Sequence, residues 1–479
     1  MSEAASTTFE AALEAVLARC VPDFRRLEAA ERLSGGASQE TYRLVIETAA
    51  GRELRAFRRA PAEIGETASG PGLAGEALLF QVARAAGVPG PKVDYVLQTE
   101  DGLGTGFIME WIEGETLGAK IARAEDFAKI RPRLAYQCGQ IMARIHQIDV
   151  TASGLAPRLH RLTPEAAIRQ TWDQYKGLKA IAPMIDFTAR WLLENLPPEV
   201  EPRLVHNDFR NGNLMVSKTD GVSAVLDWEL AHIGDPMRDL GWICTGSWRF
   251  GQHEFPVGGF GLREDLFAGY EAESGRKIDP RHVHFWEVFG SFWWAVGCLR
   301  MGERYRREPS VGVEYPVIGR RSSECQVDCV NLLIPGPVSF NPAAPDPVLH
   351  DLPRSDEILT SVRDFLRDSV MSVTGGRDRF LARVGANALD IVLREVTLGN
   401  EYRAEMQARL ARLLGREGSL SALEAELAAG LRDGTMPLDA PGLAEYLRES
   451  VVRRIAIDQP SYPGYQKALA YGSDLSGSG

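Results

Sequence analysis

Between Leu204 and Glu229 two short apolar runs each lead straight into residues with reactive side chains. The first reads Leu204-Val-His-Asn-Asp-Phe-Arg-Asn-Gly-Asn-Leu-Met-Val216 and the second Ala224-Val-Leu-Asp-Trp-Glu229. Runs this short suit strands, not helices. Each strand then delivers its polar residues to a loop: His206 and Asp208 from the first, Asp227 from the second. Asn213 follows Asp208 by five positions, and Glu229 follows Asp227 by two. In extended geometry Asp227 and Glu229 share a face.

Phosphoryl transfer gives these residue types a purpose. The transferred group carries charge that a divalent cation must neutralise, and Mg²⁺ takes hard oxygen ligands. Asn213 and Asp227 offer an amide oxygen and a carboxylate. A separate carboxylate has to orient the acceptor hydroxyl and accept its proton, and Asp208 is placed for that. His206 reads as a residue that holds the loop by hydrogen bonds.

The surroundings point to several domains. At 479 residues, the chain exceeds one ordinary domain. A helix over Thr8–Cys20 precedes a small-residue turn from Ser34 to Glu40, and strands are expected over Thr41–Glu47 and Arg52–Arg59. Strand, glycine turn and strand suggest an antiparallel hairpin pair. A helix over Leu73–Ala86 stops at Gly87-Val-Pro-Gly-Pro91, with further strands over Lys92–Leu97 and Thr105–Trp111. Helical periodicity then dominates up to the two apolar runs and resumes from Asp239 to Leu333. Six prolines between Pro335 and Pro353 mark a linker, and Asp356–Tyr471 reads as nearly all helix. The expected segments are 1–113, 114–334, 335–354 and 355–479.

A formal charge of −11 argues against a nucleic-acid partner, which needs clustered positive charge. Acidic residues Glu3, Glu10 and Glu14 at the start are wrong for a signal peptide. No run approaches the roughly 20 apolar residues that span a bilayer. The expectation is a cytoplasmic protein without a membrane partner. Six cysteines in a chain this long read as buried thiols, Cys325 and Cys329 included.

The stretch His206-Asn-Asp208 with Asn213, then Asp227-Trp-Glu229, resembles the catalytic segment of the aminoglycoside phosphotransferase and choline kinase superfamily. Gly234-Asp-Pro-Met-Arg-Asp-Leu240 fits the same pattern. The motifs Phe57-Arg-Arg-Ala-Pro61, Gly87-Val-Pro-Gly-Pro91 and Gly106-Phe-Ile-Met-Glu-Trp-Ile-Glu-Gly114 are similar to a bacterial branch related to the kinase domain fused to some acyl-CoA dehydrogenases. The resemblance covers about Arg32 to Leu333. It implies an α+β, protein-kinase-like two-lobe fold: a small antiparallel-sheet lobe, then a mainly helical lobe. The all-α segment would follow. It implies a phosphotransferase that uses Mg²⁺ and ATP or GTP and phosphorylates a hydroxyl of a small molecule.

On that resemblance the turn Ser34, Gly35, Gly36, Ala37 and Ser38 would lie over the phosphates. Arg58 stands where the superfamily usually carries a phosphate-binding lysine, with Glu76 as its ion-pair partner. Met109, Glu110, Trp111 and Ile112 match the hinge that meets the adenine. Asp235 and Asp239 would stabilise the catalytic loop. The acceptor in the related branch is a hydroxyl on a hydroxyacyl chain. Competing readings are an aminoglycoside kinase and a catalytically degenerate nucleotide-binding scaffold.

The aromatic residues Trp172, Tyr175, Trp242, Trp248, Trp293 and Trp294 read mostly as core. Arg300, Arg304, Arg306, Arg307, Arg320 and Arg321 read as solvated faces. Leu420, Leu423, Leu427 and Leu431 carry core-packing spacing. The stretch Ser421-Ala-Leu-Glu424 is expected to cap that helix, Gly434 to end it, and Asp439 with Pro441 to start the next. These helices carry no motif that assigns a role; homo-oligomerisation or docking of a partner enzyme is the hypothesis for them.

Overall fold

The computed structural model describes residues 3–35, 39–60, 70–339 and 353–471. Two compact units emerge: 1–163 with 198–244 and 248–286, and 164–197 with 245–247 and 287–479. These units run differently from the expected segments. Residues 287–334 pack with the helices beyond the proline-rich stretch, because Val327 and Val330 share a core with Met406, Leu427 and Val452. Residues 340–352 of the expected linker lie outside the described residues.

The first unit opens with a helix, Glu3–Cys20, and a five-stranded antiparallel sheet. Its strands are β1 (Phe24–Gly35), β2 (Glu40–Thr48), β3 (Gly51–Ala60), β4 (Val93–Val96) and β5 (Thr105–Glu110), in the order β1-β2-β3-β5-β4. The expected antiparallel hairpin pair is present, with β1 running up to the glycine turn and pairing with β2 beyond it. Side-chain alternation divides the sheet. Tyr42, Leu44, Ile46, Phe57 and Ile108 face Leu13, Val16 and Leu17 of the first helix. Ala60 and Phe107 join the opposite core with Leu73, Ala77 and Phe80 of the helix Gly72–Ala85. Arg58, next to Phe57, is thereby turned to the side where that second helix lies.

Two short strand pairs carry the expected reactive loops. β6 (Arg203–Val205) pairs with β9 (His232–Gly234). β7 (Leu214–Ser217) pairs with β8 (Gly221–Val225). The helices Arg131–His146, Met237–Cys244 and Arg263–Ser274 surround them.

The second unit is helical. Its core joins the helices Pro183–Glu194, Ser322–Leu333, Gly376–Leu414, Leu420–Asp433 and Leu443–Asp458. Leu423, Leu427 and Leu431 are fully buried, as their spacing requires. The capping residue is Ser419, not Ser421: its hydroxyl accepts the Ala422 N–H. Leu420 packs against the core, and the first turn starts two positions earlier than expected. Gly434 ends that helix in the left-handed conformation, and the next begins after Gly442, beyond Pro441. Asp186, fully buried, accepts Trp172 Nε1–H at 2.8 Å and Arg432 Nε–H at 2.8 Å. Arg320 and Arg321 depart from the solvated-face expectation: they pair with Asp458 and Glu324 at 2.7 and 3.0 Å. Cys325 and Cys329 are buried free thiols. Among the described residues no helix is long and apolar enough to cross a membrane.

Candidate active site

The loop after β6 is held from behind. Asn207 adopts φ +67°, a left-handed conformation that Asn tolerates because its short polar side chain bonds locally. Asp239, fully buried, accepts the backbone N–H groups of His206 at 2.9 Å and Asn207 at 2.7 Å. His146 Nε2 lies 3.1 Å from the same carboxylate, and Tyr270 Oη is 3.0 Å from His146 Nδ1. Burial opposes the Asp239 charge. Hydrogen bonds from His146 and from the loop outweigh it and hold the carboxyl below its usual value. Asp235 meets His282 Nε2 at 2.5 Å and Trp286 Nε1 at 2.8 Å, so it anchors the helix that starts at Pro280 and not the loop.

His206 is buried between Phe209 and Trp228. Its Nδ1 accepts the Asp208 N–H at 3.2 Å, which leaves the proton on Nε2, 3.1 Å from the Leu226 carbonyl. Burial lowers its pKa, so the ring is neutral and ties the two reactive loops together.

Three side chains grip Asp208. Trp242 Nε1–H and Arg210 Nε–H donate to Oδ1 at 2.8 and 2.9 Å, and Asn213 Nδ2–H donates to Oδ2 at 2.6 Å. Burial lifts the carboxyl above its ordinary value, against the opposing pull of Arg210 and Trp242. The Arg210 guanidinium lies 4.3 Å over the Trp248 ring, which meets Trp242 edge-on at 5.1 Å. Sequence reasoning assigned Arg210 no role, although it stands inside the motif. Trp242, 34 positions from Asp208, gave no local signal of this contact.

Asp227 faces the sheet lobe. It takes φ +65°, so the extended geometry expected for Asp227–Glu229 is not kept. Both carboxylates still reach Arg58: Nη2 is 3.2 Å from Asp227 Oδ1 and 3.8 Å from Glu229 Oε2. Arg58 Nη1 lies 3.2 Å from Glu76 Oε1, and its Nε and Nη2 donate to Gln39 Oε1 at 3.1 and 2.7 Å. Burial pushes Glu76 up to about 7, with Arg58 acting against it. Gly70 runs over this corner, where a Cβ would sit 2.7 Å from the Glu229 carbonyl oxygen. Only a residue without a side chain fits that approach.

Ser34 and Gly35 end β1, paired with Thr41 and Glu40. Gly36, Ala37 and Ser38 lie outside the described residues. Met109 and Glu110 end β5, and Trp111 and Ile112 carry the chain out of the sheet. Glu110 N–H donates to the Lys92 carbonyl at 2.8 Å, which fixes that exit.

A kinase-like class follows from the antiparallel sheet lobe, the helical remainder and this pair of carboxylate loops. Residues 29–277 match the model of the phosphotransferase enzyme family, and the chain belongs to that family. Residues 372–462 match a separate domain of unknown function. Mouse acyl-CoA dehydrogenase family member 10 is 32% identical over 175 residues, 34% of this chain and 16% of that protein. Chicken acyl-CoA dehydrogenase family member 11 is 29% identical over 251 residues, 48% of this chain and 30% of that protein. The matches therefore span less than a third of either relative's length. A Ralstonia eutropha crystal structure, provisionally described as an aminoglycoside phosphotransferase, superposes with a TM-score of 0.54 at 24% identity. That alignment covers 66% of this chain and 95% of the Ralstonia protein, and it supports the fold.

Proposed function

We propose that the chain is a small-molecule kinase that moves the γ-phosphoryl group of ATP or GTP to a hydroxyl of a metabolite. The observation that carries this reading is the three-donor grip on Asp208, beside a second carboxylate, Asp227, on the neighbouring loop. A carboxylate held in one orientation is what a hydroxyl acceptor needs. Asp208 aligns the acceptor O–H and takes its proton as the new O–P bond forms. The bond between the γ-phosphorus and the bridging oxygen breaks, and the nucleoside diphosphate leaves with that electron pair.

Asn213 and Asp227 fit a Mg²⁺ ion by donor chemistry. The Asn213 amide nitrogen is directed to Asp208, so its oxygen is the branch that can face a ligand. Mg²⁺ held there supplies neutralisation of phosphate charge. Arg58 would swing its Nη2 from Asp227 to the phosphates, with Glu76 beside its Nη1. The turn 34–38 would donate N–H groups to the phosphates, and residues 109–112 would meet the base. His206 and Asp239 hold the loop.

A guanidinium stacked on Trp248 beside the base suits an acceptor with apolar or anionic parts and repels a polycationic amino sugar. A hydroxyacyl-CoA is therefore favoured over an aminoglycoside, and the two acyl-CoA dehydrogenase family relatives agree with that direction. The ion pair of Arg58 with Asp227 favours a second reading, a scaffold that binds nucleotide without turnover. Thermal melts with ATP or GTP, with and without Mg²⁺, test the nucleotide site that both readings share, and turnover separates them. Nucleotide at about 100 times its dissociation constant adds about 2.7 kcal/mol. Asp208→Asn should keep the shift and lose about 10²- to 10⁴-fold in turnover. Equal turnover in that variant would refute the assigned base. A nucleotide shift without turnover of any hydroxyacyl-CoA or aminoglycoside would favour the scaffold.

A further inference from the structure

A cavity of about 420 Å³ opens inside the second unit, and none of its lining residues belongs to the candidate active site. Its size falls within the range of small-molecule sites. Four arginines, Arg320, Arg403, Arg453 and Arg454, share its wall with three carboxylates, Glu395, Glu424 and Asp458. The lining thus carries four guanidiniums against three carboxylates in a chain whose formal charge is −11.

The arginines divide by how tightly they are held. Arg453 is locked to Glu405 at 2.5 Å, and to Glu449. Arg320 is locked to Asp458 at 2.7 Å and Glu395 at 3.0 Å. Arg403 and Arg454 are held loosely. Arg403 lies 4.0 Å from Glu395, which is already engaged by Arg320, and bonds to Asn400 Oδ1 at 2.7 Å. Arg454 lies 3.7 Å from Glu424. Burial lifts both Glu424 and Asp458 above their ordinary values, with Arg454 and Arg320 acting against it. Ile181, Leu299, Met406, Leu420 and Ile457 form the apolar part of the lining, and Ser322, Ser323, Gln326, Tyr402 and Ser450 add neutral polar groups.

We propose that this cavity binds a small organic anion with an apolar chain, its phosphate or carboxylate held by Arg403 and Arg454 and its chain by the aliphatic wall. Two guanidiniums with long ion pairs keep donors for an incoming oxyanion, and planar forks match phosphate and carboxylate geometry. A cationic ligand would meet guanidiniums on several sides. Arg403, Arg453 and Arg454 fall within the domain of unknown function, residues 372–462. It does not depend on the kinase reading of the first unit.

The experiment is isothermal titration of the full chain with octyl phosphate, and with octyltrimethylammonium as the opposite-charge control. Two variants probe the cavity. Arg403→Gln with Arg454→Gln removes the charge. Gly399→Leu fills the space, since a Cβ at Gly399 points at the movable end of Arg403, 3.2 Å away. A leucine there also suits the interior of the helix better than glycine does. The expected result is binding of the anion and none of the cation. The dissociation constant should rise at least about tenfold in both variants and stay unchanged in Asp208→Asn. Absence of binding by octyl phosphate at millimolar concentration, equal binding of the cation, or unchanged affinity in Gly399→Leu would overturn the proposal. If the arginine pair variant does not fold, the Gly399→Leu result decides alone.

Discussion

Replacing Asp239 by Asn tests whether the buried carboxylate holds the reactive loop. The change keeps the shape but leaves one acceptor oxygen where there were two. In the native structure Oδ2 serves the His206 N–H and His146 Nε2, and Oδ1 serves the Asn207 N–H. Whichever way the new amide turns, its NH₂ faces at least one buried N–H. A hydrogen bond to a charged acceptor contributes about 1.5–3 kcal/mol, and an orphaned buried donor costs about 1–3 kcal/mol. These overlap, so a total loss of about 2–4 kcal/mol is expected. Asn207 sits in a left-handed conformation that costs about 1–2 kcal/mol and has nothing to hold it once its N–H is released. The loop should relax, and Asp208 with it. Urea unfolding followed by tryptophan fluorescence reads the stability. Hydrogen exchange of the 206–208 amides reads local opening and does not need the whole chain to unfold in one step. Stability within about 0.5 kcal/mol of the parent, with unchanged protection at Asn207, would refute the anchoring role.

Two further outcomes follow from the same geometry. Trp242→Phe removes one donor from ionised Asp208, so the Asp208 pKa should rise further. The acid limb of the kcat profile should then move to higher pH by about one unit or more, and a limb that stays in place would exclude Trp242 as a positioning residue. Glu76 holds its proton up to about pH 7 in the fold, against 4.5 for an ordinary glutamate. The folded chain therefore binds the extra proton between those values, and stability falls as pH rises through that window. Glu76→Gln removes this slope. Its stability relative to the parent should rise between pH 4.5 and 7 by up to about 3 kcal/mol in urea titrations, and a flat difference would show that Arg58 keeps Glu76 ionised throughout.

The placement of the reactive residues was legible because local rules govern it. His206, Asp208, Asn213 and Asp227 lie within one strand-loop-hairpin stretch, and short apolar runs of strand length announce where each loop begins. The pairing of Arg58 with Glu76 on the next helix, 3.2 Å away, is the one the family resemblance implied, and period-two alternation in β3 puts Arg58 on the face opposite Phe57. The same logic put Leu423, Leu427 and Leu431 in a core. The extended form expected at Asp227 failed because a backbone turn to φ +65° is set by what surrounds the residue, not by its neighbours in sequence. The cap moved from Ser421 to Ser419 because burial of Leu420 decides where that helix starts.

Sequence alone therefore determined the family, the antiparallel sheet lobe and the set of carboxylates, since motif spacing and side-chain periodicity act over a few residues. Tertiary structure decided which residues hold those carboxylates. Trp242 reaches Asp208 across 34 positions and His146 reaches Asp239 across 93. It also decided that residues 287–334 pack with the helices beyond the proline-rich stretch, and that four arginines from three helices line one cavity. Contacts between distant residues depend on how whole elements pack, and burial then sets both their geometry and their charge.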